Sequence, residues 1–139
     1  MAFKGYYIKF IKDNKTWELP LSLMFVDSTD LAPYKVMDLD PYYDANGLLH
    51  RNPVDHTSAS LKFAIPPMYM SDKNSFFKKL HSFMTNEKRR DLRIEYYNDE
   101  YDRYDTGDFY MAEPHFRVKS NSPKGELLYD STDIEFIKY

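Results

Sequence analysis

Only one stretch of this 139-residue chain repeats with a helical period; almost everywhere else the apolar residues recur at every second position. A period of two belongs to a pleated strand with one buried face, so the core must be built from sheets with a single helix beside them. The helical stretch follows Ser71 or Asp72, either of which suits a cap. Phe76, Phe77, Leu80, Phe83 and Met84 then fall on one stripe, with Lys78, Lys79 and Ser82 on the solvent side.

The strands read off in order. Phe3 to Ile11 is the first, with Tyr6, Ile8 and Phe10 sharing a face. Asp13-Asn14-Lys15 turns the chain, and Trp17 to Leu23 returns as a strand that Pro20 keeps short or at an edge. Asp27 to Pro33 has loop chemistry, and Tyr34 to Leu39 is the next strand. Ser58 to Ile65 alternates with Leu61, Phe63 and Ile65 inward, until Pro66-Pro67 stops it. Beyond the helix, Leu92, Ile94 and Tyr96 alternate, and Asn98 to Thr106 is an acidic, tyrosine-rich hairpin loop closed by Gly107. Phe109 and Met111, then Phe116 and Val118, mark two further strands; Asn121 to Gly125 is a turn. Thr132 to Tyr139 closes the chain with Ile134 and Phe136 facing one way. The expected architecture is one α+β domain over 1–139, a mostly antiparallel β-sandwich or rolled sheet of seven to eight strands with one flanking helix. Its expected core is Leu61, Phe63, Ile65, Phe77, Leu80, Phe83, Ile94, Phe109, Phe116, Ile134 and Phe136.

One segment resists this pattern. From Asp38 to His56 the chain holds two prolines, the tight-turn dipeptide Asn46-Gly47 and several charges, with only Tyr42, Tyr43, Leu48 and Leu49 as large apolar anchors. Such a segment inside a small domain reads as a long loop or arm, at about 38–56, that contacts something else.

Composition excludes several functions. A formal net charge of −3 gives no basic field for nucleic acid, and the one dense basic run, Lys88-Arg89-Arg90, falls just past the expected helix end, where cations complement free carbonyls. There is no cysteine, hence no disulfide, zinc-thiolate site or thiol nucleophile. Met1 to Ile11 lacks the apolar run of a signal peptide, and no stretch approaches the ~18 apolar residues of a membrane span, so the expected site of synthesis is the cytoplasm. Aromatic residues reach 17%, with 13 Tyr and 10 Phe, which suits half-buried sheet surfaces or, for part of the tyrosines, subunit contacts.

Catalytic and metal patterns fail on spacing. With Gly47 or Gly107 at the glycine position of a calcium loop, Tyr42 and Pro53, or Tyr104 and Thr106, occupy positions that need oxygen ligands. His50, His56, His81 and His115 show no zinc-binding spacing, and four glycines form no phosphate cradle or nucleophile elbow. The expectation is therefore no catalytic residue, no cofactor and no metal.

The run Ala45-Asn46-Gly47-Leu48-Leu49-His50-Arg51, the strand through Lys62-Phe63-Ala64, the single helix, Ile94-Glu95-Tyr96-Tyr97, Thr106-Gly107-Asp108-Phe109-Tyr110-Met111 and Ile134-Glu135-Phe136-Ile137 follow one another in this order. Over roughly residues 34–139 this resembles a family of small proteins of unknown role encoded in the tail modules of phages and prophages of Gram-positive bacteria. Asn52 and the Asp130-Ser131-Thr132 stretch depart from that pattern. The resemblance implies a tail-tube-like structural subunit of a tail tube, tube end or baseplate ring. It would assemble head to tail with itself, expected as a hexamer, and contact tube, tape-measure or baseplate proteins in a virion built in the host cytoplasm. Asn46, Gly47, Leu49, His50, Arg51, Tyr101 and Tyr104 are the expected interface residues. The competing expectation is a small enzyme or ligand-binding domain with a pocket lined by aromatics and carboxylates.

Overall fold

The computed structural model describes residues 3–24, 29–38, 42–51, 53–121 and 125–139. Its first hairpin is made by β1 (Ile8–Lys12) and β2 (Lys15–Glu18), turning at Asp13, whose φ is +53°. Pro20 ends the hairpin, and a 3₁₀ turn at Leu21–Leu23 replaces the expected rest of the strand. The strand β3 (Asp30–Asp38) begins inside the segment read as a loop. The short strands β4 (Tyr42–Tyr43) and β5 (Leu49–His50) precede β6 (Pro53–Ile65), which starts five residues before the alternation becomes legible. After β7 (Met68–Tyr69) comes the helix α1 (Met70–Ser82), then β8 (Asp91–Asn98) and β9 (Arg103–Met111). The chain closes with β10 (Val118–Asn121), β11 (Leu127–Tyr129) and β12 (Thr132–Lys138).

The strands form one antiparallel sheet of seven in the order β2-β1-β8-β9-β12-β6-β3, a three-stranded sheet β10-β11-β7 and the small hairpin β4-β5. The α+β, mostly antiparallel expectation holds. Seven of the strands read from the sequence lie in the main sheet, and the one at Phe116–Val118 corresponds to β10. The strands not expected, β4, β5, β7 and β11, are two or three residues long, too short for alternation to reveal.

One face of the main sheet is apolar. Ile8 and Phe10, Leu61, Phe63 and Ile65, Leu92, Ile94 and Tyr96, Phe109 and Met111, and Ile134 and Phe136 are all buried there. Register explains the match: Phe10 faces Ile94, Phe63 faces Ile134 and Leu61 faces Phe136, so in-facing positions coincide on neighbouring strands. The helix adds Phe76 and Leu80, and Phe83 and Met84 follow just past its end. Trp17 meets Phe76 and Phe83 through its ring, with the Lys79 ammonium 4.7 Å from the indole.

Several expectations need correcting. Phe116 is not core: it is 44% exposed and precedes β10, touching the rings of Phe77 and Tyr129 from outside. Phe77 is half-buried against the core rather than within it. Neither Ser71 nor Asp72 caps the helix; Glu126 does so from the approach to β11, its Oε1 accepting the Ser71 N–H at 2.8 Å. Lys88 to Arg90 do not complement the helix end. They form a turn in which Asn86 Oδ1 accepts the Lys88 and Arg89 N–H groups and Arg90 has φ +59°. Gly107 does not close the β8–β9 loop but lies mid-strand, paired with Ile94. That loop is only Asp99 to Asp102. The buried Asn98 organises it: Oδ1 accepts the Glu100 and Tyr101 N–H groups, and Nδ2 donates to Asp105 at 2.9 Å.

Candidate functional site

Strands β3 and β6 continue where the sheet stops. The last residue of β6 paired with β12 is Ser60, opposite Ile137, yet β3 and β6 remain paired from Lys35–Ser58 through Val36–Thr57 to Asp38–Pro53. The ribbon from Ser60 to Pro53 has the length of about 20 Å of strand. It tolerates its prolines for stated reasons. Pro33 lies in an edge strand, where a missing N–H costs nothing, and the register slips between Ala32 and Lys35 around it. Pro53 is the first residue of β6. The segment expected as a long loop or arm at about 38–56 holds the far end of this ribbon and the turn beyond it; His56 and the other side chains of 53–57, like Leu39 to Pro41 and Asn52, lie outside what is described.

The arm's tip is the β4–β5 hairpin, in which Tyr42 pairs with His50 and Tyr43 with Leu49. Asp44 organises the turn. Its Oδ1 accepts the Asn46 N–H at 2.9 Å and the Leu48 N–H at 3.0 Å, and its Oδ2 lies 2.8 Å from His50 Nε2. Its backbone N–H donates to Leu48 O at 2.9 Å, and its carbonyl accepts the Gly47 N–H. The His50 contact, followed by the Leu48 and Asn46 amides, holds the Asp44 carboxyl below the usual aspartate value. Gly47 supplies the positive φ, +81°, that the turn requires. Around this polar centre Tyr42, Tyr43, Leu48 and Leu49 are all exposed, Tyr43 at 72%.

The structure therefore gathers Asn46, Gly47, Leu49, His50 and Arg51 in or beside one exposed turn. Tyr101 and Tyr104 belong to a different hairpin. Tyr101 is exposed in the β8–β9 loop, with the Arg103 guanidinium 4.8 Å above its ring. Tyr104 is half-buried and engaged within the chain: its hydroxyl donates to Tyr6 O at 2.8 Å and accepts the Lys4 N–H at 2.9 Å. It belongs to a cluster with Phe3, Tyr6, Tyr7 and Tyr97 that ties the N-terminal segment to β8 and β9. Tyr6 donates to Glu95 Oε1 at 2.8 Å; burial and that contact push its hydroxyl above the usual tyrosine value. Four of the 13 tyrosines are used here, in contacts that strand alternation alone cannot reveal.

An open groove of about 690 Å³ lies elsewhere, lined by Lys62, Glu113, His115, Asp130, Asp133 and Glu135 among others. The competing enzyme or ligand-binding expectation would use this groove. Among the described residues no group of three His, Asp or Glu side chains is arranged to hold a metal ion, and no helix is long and apolar enough to cross a membrane.

A family model described as a family of unknown function, DUF6711, matches residues 1–139. No curated protein matches the chain in sequence. Among solved structures, the chain is similar to the tail of an empty GTA particle computed with helical refinement and C6 symmetry. The TM-score is 0.50 and the identity 13%, with 98% of this chain and 92% of that chain covered. The likeness spans nearly the whole of both chains, so the fold is that of a protein from a particle tail.

Proposed function

We propose that this chain, which belongs to the DUF6711 family of unknown function, is a structural subunit of a phage or phage-like particle tail. The observation that carries the reading is the arm: two strands leave a well-buried sheet and end in a turn with four exposed large apolar side chains. An apolar patch on a projecting ribbon does little for a monomer's own core and is suited to burial against another protein. The solved tail structure of the same fold supports the reading, and its C6 symmetry agrees with a sixfold ring.

In finer terms the proposal is a tail tube, tube-end or baseplate ring built by head-to-tail contacts between copies, with tube, tape-measure or baseplate proteins as neighbours. A heterologous contact of this kind uses two different surfaces of one chain, which an asymmetric domain with one arm provides. The Gram-positive phage setting, residence in the virion tail and the absence of a catalytic role belong to the same proposal.

Light scattering on a sizing column, with negative-stain imaging of the eluted species, tests it. The expected result is a concentration-dependent ring or stacked rings. A stable monomer that turns over or binds a small molecule through the Lys62–Glu135 groove would overturn it in favour of the enzyme reading.

A further inference from the structure

Of the chain's asparagines, only Asn46 precedes a glycine. Glycine has no Cβ to shield its peptide nitrogen, so that nitrogen is the least hindered for attack on the preceding side-chain carbonyl. Asn46 and Gly47 are both exposed at the tip of the arm. Apart from the residues next to it in the chain, nothing lies within 4 Å of where a Gly47 Cβ would stand, so the Asn46 carboxamide has room to swing over the Gly47 nitrogen. Other asparagines are placed differently. Asn98 is fully buried, Asn74 lies inside α1, and Asn14 and Asn86 are followed by the long side chains of Lys15 and Glu87.

The closed turn opposes the reaction. The Gly47 N–H donates to Asp44 O at 3.0 Å, and the Asn46 N–H is held by Asp44 Oδ1 at 2.9 Å. With the peptide units on both sides of Asn46 held, its side chain cannot be brought over the nitrogen until the turn opens. That opening is local and leaves the sheet intact. A hairpin with strands of two residues is marginal on its own in water, so Asp44 carries much of the closure.

We propose that Asn46 is a site of spontaneous covalent modification, and that Asp44 is the positioning residue that sets its rate by holding the turn closed. In the open turn the Gly47 nitrogen loses its proton and bonds to Cγ of Asn46. The Cγ–Nδ2 bond breaks, and ammonia leaves with a proton. Water then opens the cyclic imide at either carbonyl. One product is aspartate at position 46; the other is isoaspartate, in which the main chain runs through the former side chain. Either product adds a negative charge two residues from Asp44. Isoaspartate also lengthens the loop that the Asp44 N–H closes on Leu48 O. The tip therefore loses its shape with age while the sheet keeps its own, whatever the arm contacts.

The test ages the purified full chain in mildly alkaline buffer and follows each asparagine by peptide mass spectrometry, with isoaspartate identified by enzymatic methylation. Asn46 should react before every other asparagine, and more slowly in the native chain than in denaturant. Asp44→Ala should raise the native rate at least about threefold at an unchanged melting temperature. In that variant the Asn46 amide should lose protection from hydrogen exchange while the Ile94 amide keeps it. Asp44→Asn, which keeps an acceptor for the turn amides, should restore most of the slow rate. Another asparagine reacting first in the native chain would overturn the site. Equal rates in the native and denatured chains would overturn gating by the turn. Asp44→Ala reacting no faster than the wild type would overturn the role of Asp44.

Discussion

The carboxylate of Asp44 lies 2.8 Å from Nε2 of His50, across the mouth of an exposed turn five residues long between paired Tyr43 and Leu49. Because these contacts hold the Asp44 carboxyl below its ordinary value of 3.8, its contribution to tip order is complete above that value and is lost as the pH falls through the lower, folded one. On acidification below about pH 4 the Asn46 and Leu48 amide resonances should shift before those of Ile94 and Phe109. Tip and sheet resonances moving together would contradict a locally organised turn.

Phe63 and Phe136 anchor the apolar face of the main sheet, their rings 6.2 Å apart and both essentially without solvent contact. Truncating either to Ala should cost roughly 3–5 kcal/mol in denaturant unfolding. A loss below about 1 kcal/mol would mean that the site can collapse or is not a true core position.

Tyr6 makes the opposite pH prediction from Asp44. Its hydroxyl is raised above the usual value by burial and by the hydrogen bond to Glu95, so its stabilising contribution is full below the unfolded value of about 10 and falls as the pH rises towards the folded one. Tyr6→Phe should cost about 1–3 kcal/mol at pH 7 and flatten the loss of stability above about pH 10. An unchanged alkaline slope would point to other tyrosines, such as Tyr96, which burial pushes up to about 12.

Arg51 is exposed directly after β5. Its planar guanidinium suits a bidentate contact with a carboxylate of a neighbouring subunit. Arg51→Ala should leave the melting temperature of the isolated chain within about 2 °C while weakening assembly. Loss of the fold instead would make Arg51 part of the chain's own structure.

The sheet was legible because burial imposes alternation: Leu61, Phe63 and Ile65, or Leu92, Ile94 and Tyr96, could hardly be read otherwise. Phe116 misled because it too sits in an alternating pair with Val118, yet β10 is an edge strand of a small sheet and its residues are all exposed. The arm was legible as an anomaly but not as a ribbon. Asp30 to Pro33 reads as loop chemistry because a charge and a proline break its alternation, although it pairs with Ser60 to Lys62 in the main sheet. The part of β6 before Ser58 holds Pro53, Asp55 and His56, which leave no apolar period. The Asn46-Gly47 turn was visible, since Gly47 needs its positive φ. The role of Asp44 was not, because its partner His50 is six residues away and only the pairing of β4 with β5 brings the two together. Glu126 capping Ser71, fifty-five residues apart, escaped for the same reason.

The central claim, that this chain is a tail subunit docking through its arm, is tested most directly by cryo-electron microscopy of tailed particles purified from cells carrying this gene. The account predicts density for the chain repeated six times around the tail axis, with the β4–β5 tip of each copy buried against a neighbouring copy. Particles that contain the chain with the β4–β5 tip facing open solvent would contradict the docking role. Particles of normal tail structure that lack the chain altogether would contradict the assignment itself.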